Sequence, residues 1–162
     1  MKAFDKDGLL LCNLQATTFE MSIETESISS EVFIRRFMNS QVAKDLDNES
    51  ALQTSIQPQT IFDRLEEQYG SSNYGSVKYS KNEIYWIGYI YRYFSYTYEL
   101  SSVRVYKTIK PRELRELFVP YYSMDPSQAI ERILEAKNLI FDEKKELERQ
   151  YNIFKKIRNA QH

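Results

Sequence analysis

Histidine, cysteine and glycine are nearly missing from this chain. The only histidine is its last residue, His162, the only cysteine is Cys12, and four glycines serve all 162 residues. Each scarcity removes a class of chemistry. A terminal histidine is a poor general base, and without a histidine pair a zinc site lacks its nitrogen ligands. A lone thiol excludes an intramolecular disulfide and a thiolate zinc centre within one chain, which fits a reducing compartment. With no histidine partner in the body of the chain, Cys12 reads as a buried structural residue rather than a nucleophile. The glycines form no phosphate cradle or dinucleotide fingerprint, and no Asp/Glu spacing resembles a calcium loop. No cofactor or metal is expected.

Long apolar runs and an excess of one charge are missing too. Leu9 to Cys12 is too short for the core of a signal peptide. The aromatic segment described below is interrupted by Arg92 and Ser95, short of the roughly 20 apolar residues that span a bilayer. A cytoplasmic address with no membrane partner is the resulting expectation. The formal net charge is -1, so no global positive field draws the protein to nucleic acid or an anionic membrane. With 42% hydrophobic and 28% charged residues the chain is ordinary for a globular protein, and its length suits one sizeable core rather than two.

What is abundant is aromatic. Eight of the fourteen residues from Tyr85 to Tyr98 are Tyr, Trp or Phe. Such side chains combine apolar area with phenolic hydrogen bonds, and in a chain poor in nucleophiles they favour binding over turnover. The Ser80-Lys81-Asn82-Glu83 sequence before them is a capping box, and no turn residue divides the run, so it reads as one helix despite the strand preference of aromatics.

The rest of the pattern is helical as well. Asp7-Gly8 is a turn signal followed by a short strand or helix lead-in, and a weak amphipathic helix runs from Leu14 to about Ser27. Ser29-Ser30 precedes a helix with Phe33, Ile34, Phe37, Met38 and Val42 on one side. Asp45 to Ser55, polar and rich in cap-forming residues, reads as a loop or a frayed end. Pro58 opens a helix with Ile61, Phe62 and Leu65 inward. Gly70 to Gly75 is the clearest linker. Ser101-Ser102 ends the aromatic helix and caps a short one, Lys110-Pro111 starts the next, and Pro120 stops it. Asp125-Pro126-Ser127-Gln128 begins a helix through Ile130, Ile133 and Leu134. Beyond it, Ile140, Leu147 and Phe154 stand seven apart, and Leu147, Tyr151, Phe154 and Arg158 form a stripe. That pattern is a short coiled-coil arm or an amphipathic helix folded back on the body. The expected fold is therefore all-α, a compact multi-helix bundle-like domain over 1–138 with a central aromatic-rich helix. An amphipathic C-terminal helix follows over 139–162, packed back or oligomerising as a homodimer.

Two arrangements of the aromatic helix stand side by side. In one, Ile84, Ile87, Gly88, Tyr91, Phe94 and Tyr98 form a buried face, with Gly88 letting another helix close. In the other, Tyr89, Arg92, Tyr93 and Tyr96 form an exposed aromatic and cationic ridge of the kind found at protein hot spots. The basic clusters Arg35-Arg36, Arg104/Lys107/Lys110/Arg112 and Lys155/Lys156/Arg158 could reach phosphates, with tyrosines stacking on bases. A carboxylate enzyme would draw on Glu83, Glu99, Asp125 and Glu131, which flank aromatic segments, although Glu83 and Asp125 already have capping duties.

Three segments carry a resemblance: Val32-Phe33-Ile34-Arg35-Arg36-Phe37-Met38, Tyr85-Trp86-Ile87-Gly88-Tyr89-Ile90-Tyr91-Arg92, and Leu114-Arg115-Glu116-Leu117 together with Asp125-Pro126-Ser127-Gln128-Ala129-Ile130. Together they make the chain similar, over about positions 10–134, to a family of small proteins of Gram-positive bacteria that occur beside toxin-like genes. The resemblance implies an antitoxin or accessory component with a protein partner, a toxin encoded nearby, and supplies no catalytic assignment. The expected function is a non-enzymatic protein-binding module that masks or regulates that partner through Tyr89, Arg92, Tyr93, Tyr96, Arg35 and Arg36. The alternatives are a small nucleic-acid-binding regulator and a carboxylate-based enzyme.

Overall fold

In the computed structural model, which describes residues 1–139 and 143–160, Asp5 rather than Asp7-Gly8 starts the first helix. Its carboxylate accepts from the Gly8 amide at 3.0 Å and caps α1, Lys6–Thr25. No turn or strand stands there. Gly8 lies inside the first turn, where a Cβ would come within 2.7 Å of Tyr96 Cε1, so this glycine serves packing and not chain reversal. Ile140 and His162 lie outside the described residues.

Local capping chemistry sets most of the helices that follow. Ser29 caps α2, Ser30–Met38, by accepting from the Val32 amide. Pro58 opens α5, Pro58–Tyr69. Both halves of the capping box form at α6, Lys81–Tyr98: the Glu83 amide donates to Ser80 Oγ at 3.1 Å and the Ser80 amide to Glu83 Oε1 at 2.9 Å. Ser101 caps α7, Ser102–Thr108, and Asp125 caps α9, Pro126–Ala136. α8, Pro111–Tyr121, continues one residue past Pro120. A proline in the last turn removes one hydrogen bond without ending the helix, and the Tyr122 amide still reaches Phe118 O at 2.8 Å. The chain closes with α10, Glu143–Ala160.

Val42, expected on the same helix as Phe33 to Met38, lies instead on a separate helix, α3, Gln41–Asp47, whose end enters the segment expected as a loop or frayed end; that segment also holds the single turn α4, Ser50–Gln53. Ser40 caps α3 through the Ala43 amide, and Val42, Ala43 and Leu46 are buried. Two turns are too few for an apolar period to be read, so burial against the rest of the bundle stabilises this helix rather than its own composition.

The molecule is a compact all-α bundle. α6 packs along α1 and against α7, α8 and α9, while α2 and α5 also lie on α1. The α1–α6 approach depends on Gly88: a Cβ there would stand 2.8 Å from Phe19 Cγ and 3.1 Å from Ala16 Cα. The buried face predicted for α6 is present, with Ile84, Ile87, Tyr91 and Phe94 fully enclosed and Tyr98 half-buried. Phe19 meets Phe33 and Phe37 edge-on at 5.4 and 4.9 Å, and Phe33 reaches Phe62 at 6.1 Å. Each such side chain contributes about 1.5–3 kcal/mol by leaving water. Among the described residues no helix is long and apolar enough to cross a membrane.

Candidate functional site

The six residues expected to meet a partner do not form one patch. Arg92 is 1% exposed, so the ridge along α6 does not exist as drawn from the sequence. Its guanidinium is the hub of a buried network. Nε donates to Gln15 Oε1 at 2.8 Å, Nη1 to Asp47 Oδ1 at 2.7 Å, and Nη2 to Ser102 Oγ at 2.8 Å. Asp47 in turn accepts from the Ser102 amide at 2.9 Å. A charged side chain enters a core when its charge is paired and its donors are occupied, and α1, α3 and α7 supply those partners here.

Tyr96 is likewise buried, and its hydroxyl donates to Asp5 Oδ1 at 2.5 Å. Burial, then that carboxylate, push its phenol up to about 12, so it is a fixed neutral donor tying the amino-terminal cap to α6. Tyr89 and Tyr93 are half-buried and nearly parallel at 6.4 Å, and Phe4 covers Tyr93 at 4.5 Å. Arg36 donates to Gly70 O at 3.1 Å with its guanidinium 5.3 Å from the Tyr69 ring, so it holds the end of α5. Of the six, only Arg35 is exposed, and its guanidinium has no hydrogen-bond or ion-pair partner among the described residues.

Arg35 lines a cavity of about 550 Å³ between the start of α2, the extended strap 70–80 and the junction of α7 with α8. The segment expected to be a linker is tied down. The first amides of α2 are occupied by it, Ser29 N–H donating to Tyr74 O at 3.1 Å and Ser30 N–H to Val77 O at 3.0 Å. The Tyr79 amide returns a bond to Ser30 Oγ at 2.9 Å, and Lys78 Nζ reaches Glu26 O at 2.7 Å. Gly75, at φ 81°, presses on Ser29, whose Oγ would lie 2.6 Å from a Cβ there. A side chain at this position would be both strained and obstructed.

Around the cavity stand Glu31, Arg35, Tyr74, Tyr106, Lys110 and Arg112. Arg112 grips Glu31 through two nitrogens at 2.9 and 3.2 Å, and this bond is the main reason the Glu31 carboxyl is held below its ordinary range. Lys110 Nζ sits 4.3 Å from the Tyr106 ring centroid. Three cations therefore face one carboxylate on a chain whose net charge is -1. Tyr74 and Tyr106 were absent from the sequence-based site. The Gly- and Ser-rich composition around Tyr74 resembles a solvated linker, and the hydrogen bonds that make it a wall reach 45 and 47 positions away. The run of basic residues ending in Lys110 and Arg112 was the available signal.

The carboxylates considered for catalysis are mostly engaged. Glu83 completes the capping box and meets Arg115 at 3.2 Å, and Asp125 accepts from Ser127. Glu99 is the left-handed C-cap of α6, exposed to solvent, and Glu131 is exposed on α9. Among the described residues no group of three or more His, Cys, Asp or Glu is placed to hold a metal.

These features define an all-α bundle with a buried arginine network and an open cationic, aromatic cavity. No protein-family model, curated protein or solved structure matches the chain.

Proposed function

We propose that this protein is a non-enzymatic, antitoxin-like binding module of the cytoplasm that masks or regulates a partner protein, with the cavity at Arg35 as its principal contact surface. The observation that carries this reading is an exposed arginine, without a side-chain partner among the described residues, beside two accessible tyrosines in a concave, net cationic site. Arginine and tyrosine are the residues on which protein interfaces concentrate their energy. In this reading the aromatic helix α6 is the scaffold, Arg92 and Tyr96 hold it in place, and half-buried Tyr89 and Tyr93 add a smaller contact area. The partner is a toxin encoded nearby.

α10 supports self-association. Leu147, Tyr151, Phe154 and Ile157 are all more than half exposed, and a second copy of the helix would cover them. An antiparallel arrangement keeps Lys155, Lys156 and Arg158 away from their counterparts, where a parallel one would stack like charges.

Tagged protein purified from its native host, with and without nuclease, tests the proposal. A stoichiometric protein partner that survives nuclease and is lost with Arg35→Glu is the expected result. Recovery of nucleic acid alone, or loss of every partner on nuclease treatment, would refute it in favour of a nucleic-acid regulator, whose binding would also weaken steeply with salt.

A further inference from the structure

We infer that the Arg35 cavity receives an extended acidic segment of the partner protein, one with carboxylates at alternate positions; this inference rests on the protein-binding reading above. Three features of the cavity point to the same occupant.

The first is the number of cations left unsatisfied. Arg112 is already neutralised by Glu31 in a two-point contact, which leaves Arg35 and Lys110. Lys110 lies over an aromatic face and Arg35 has no partner among the described residues. Two cations at the mouth of one cavity match two carboxylates. A nucleic-acid track draws its affinity from many phosphate contacts, whereas this chain balances its basic residues with acidic ones to a net charge of -1.

The second is the strap. It is bonded on one side only: the carbonyls of Tyr74 and Val77 accept from α2, whereas the amides of Gly75, Ser76 and Val77 donate to no protein acceptor among the described residues. All three residues are exposed. Backbone donors left to solvent are what the carbonyls of an incoming chain can pair with. The main chain of the incoming segment supplies the acceptors, so this part of the contact does not depend on its side chains.

The third is the apolar wall. Val32, Pro111 and Val77 border the same space as the cations, and Tyr74 stands 70% exposed at its edge. Successive side chains of an extended segment point to opposite faces. Acidic residues two apart therefore reach Arg35 and Lys110 together, while the residues between them lie against the valine and tyrosine side of the strap.

The test is a titration of the ¹⁵N-labelled full chain, followed by amide shifts, with three probes: a capped hexapeptide alternating aspartate and valine, its asparagine counterpart, and AMP. The aspartate peptide is expected to shift Ser30, Val32, Gly75, Ser76 and Val77. The asparagine peptide, and the aspartate peptide on an Arg35→Glu/Lys110→Glu variant, are expected to bind about tenfold more weakly or less, as loss of two charge contacts requires. Both substituted side chains are exposed, and an unchanged melting temperature confirms that the variant folds. Equal binding of the two peptides, or no shift at these amides, overturns the inference. Shifts with AMP and none with the aspartate peptide overturn it in favour of a small phosphate ligand. A native partner that co-purifies equally well with the double variant also overturns the acidic-segment site, and with it the cavity as principal contact surface, while leaving a protein-binding role carried elsewhere on the molecule. Absence of any protein partner from the wild type, with the aspartate peptide still binding selectively, would sink the protein-binding reading and uphold the cavity's preference for acidic segments.

Discussion

Removing the countercharge of Arg92 is the sharpest test of how this bundle is held. Asp47→Ala takes away the carboxylate at 2.7 Å from Nη1 and the acceptor of the Ser102 amide. Arginine cannot escape by losing its proton. Breaking a buried pair by deleting one member costs about 3–5 kcal/mol. Asp47 keeps 15% of its side chain in solvent, so water can replace part of what is lost, which places the cost nearer the lower figure. The protein has one tryptophan, Trp86, buried against Phe118 at 5.9 Å, and its fluorescence reports urea unfolding directly. With an m-value of about 2 kcal/mol per M, a loss of about 3 kcal/mol moves the midpoint down by about 1.5 M. The companion is Asp47→Leu/Arg92→Met, which removes both charges together. Replacing a buried pair by apolar residues is often near neutral, so the double variant should recover more than half of the single variant's loss. A midpoint shift under about 0.5 M for Asp47→Ala, or a double variant as unstable as the two single changes added, would refute the account of this network.

Gly88→Ala should lower stability by about 1–3 kcal/mol, read by the same urea titration, because its Cβ would meet Phe19 and the α1 backbone and force the two helices apart. Burial pushes the Cys12 thiol up to about 12 from an ordinary value of 9.0. The folded state thus holds a proton that the unfolded chain releases, so this group's contribution to stability is complete below pH 9 and declines as pH rises toward 12. The urea midpoint should fall between pH 8 and 10.5 more steeply in the wild type than in Cys12→Ala, by up to about 1.4 kcal/mol per pH unit; parallel profiles would show that the thiol ionises freely. Sedimentation equilibrium should give a dimer that Leu147→Glu/Phe154→Glu converts to a monomer with unchanged helicity, and a wild-type monomer would discard the pairing of α10.

How much could be read from the sequence depended on distance along the chain. Ser29, Ser80 with Glu83, Ser101 and Asp125 each cap a helix through a group two or three residues away, and Pro58 and Pro111 sit in first turns. Such signals lie within a single window, and the helices they start were legible. α3 was not, because Val42, Ala43 and Leu46 gain their stability from neighbours that the window does not contain. Arg92 failed for the same reason. On a helix read alone, an arginine among tyrosines belongs to the surface, yet Gln15 and Asp47 reach it from 77 and 45 positions away. The candidate site divides along the same line. Arg35 was legible as an exposed cation next to Arg36, whereas Tyr74 became part of a wall only through bonds from the start of α2.

The two arginines 35 and 92 show how one residue type does opposite work. A guanidinium keeps its charge at any physiological pH, so where it goes a carboxylate or an equivalent set of acceptors must follow. Arg64 has Asp45, Arg92 has Asp47, Arg112 has Glu31 and Arg115 has Glu83. These pairs join segments far apart in the chain and so belong to the fold. Arg35 stands one helical turn from Glu31, close enough to share it, but Arg112 occupies that carboxylate in a two-point contact. The fold thereby uses up the one acid of the cavity and leaves Arg35 facing a space walled by tyrosine, valine and unpaired amides. Releasing Glu31 offers a way to probe that arrangement: in Arg112→Gln the carboxylate is free to turn toward Arg35, and the affinity of the cavity for an acidic segment should fall even though Arg112 is the better-satisfied cation. A simple loss of positive charge would predict the same direction, but Lys107→Gln separates the two, because it removes one exposed positive charge and leaves the Arg112–Glu31 contact in place: a loss for Arg112→Gln well beyond that for Lys107→Gln is expected if occupancy of Glu31 controls Arg35, and equal losses would refute it.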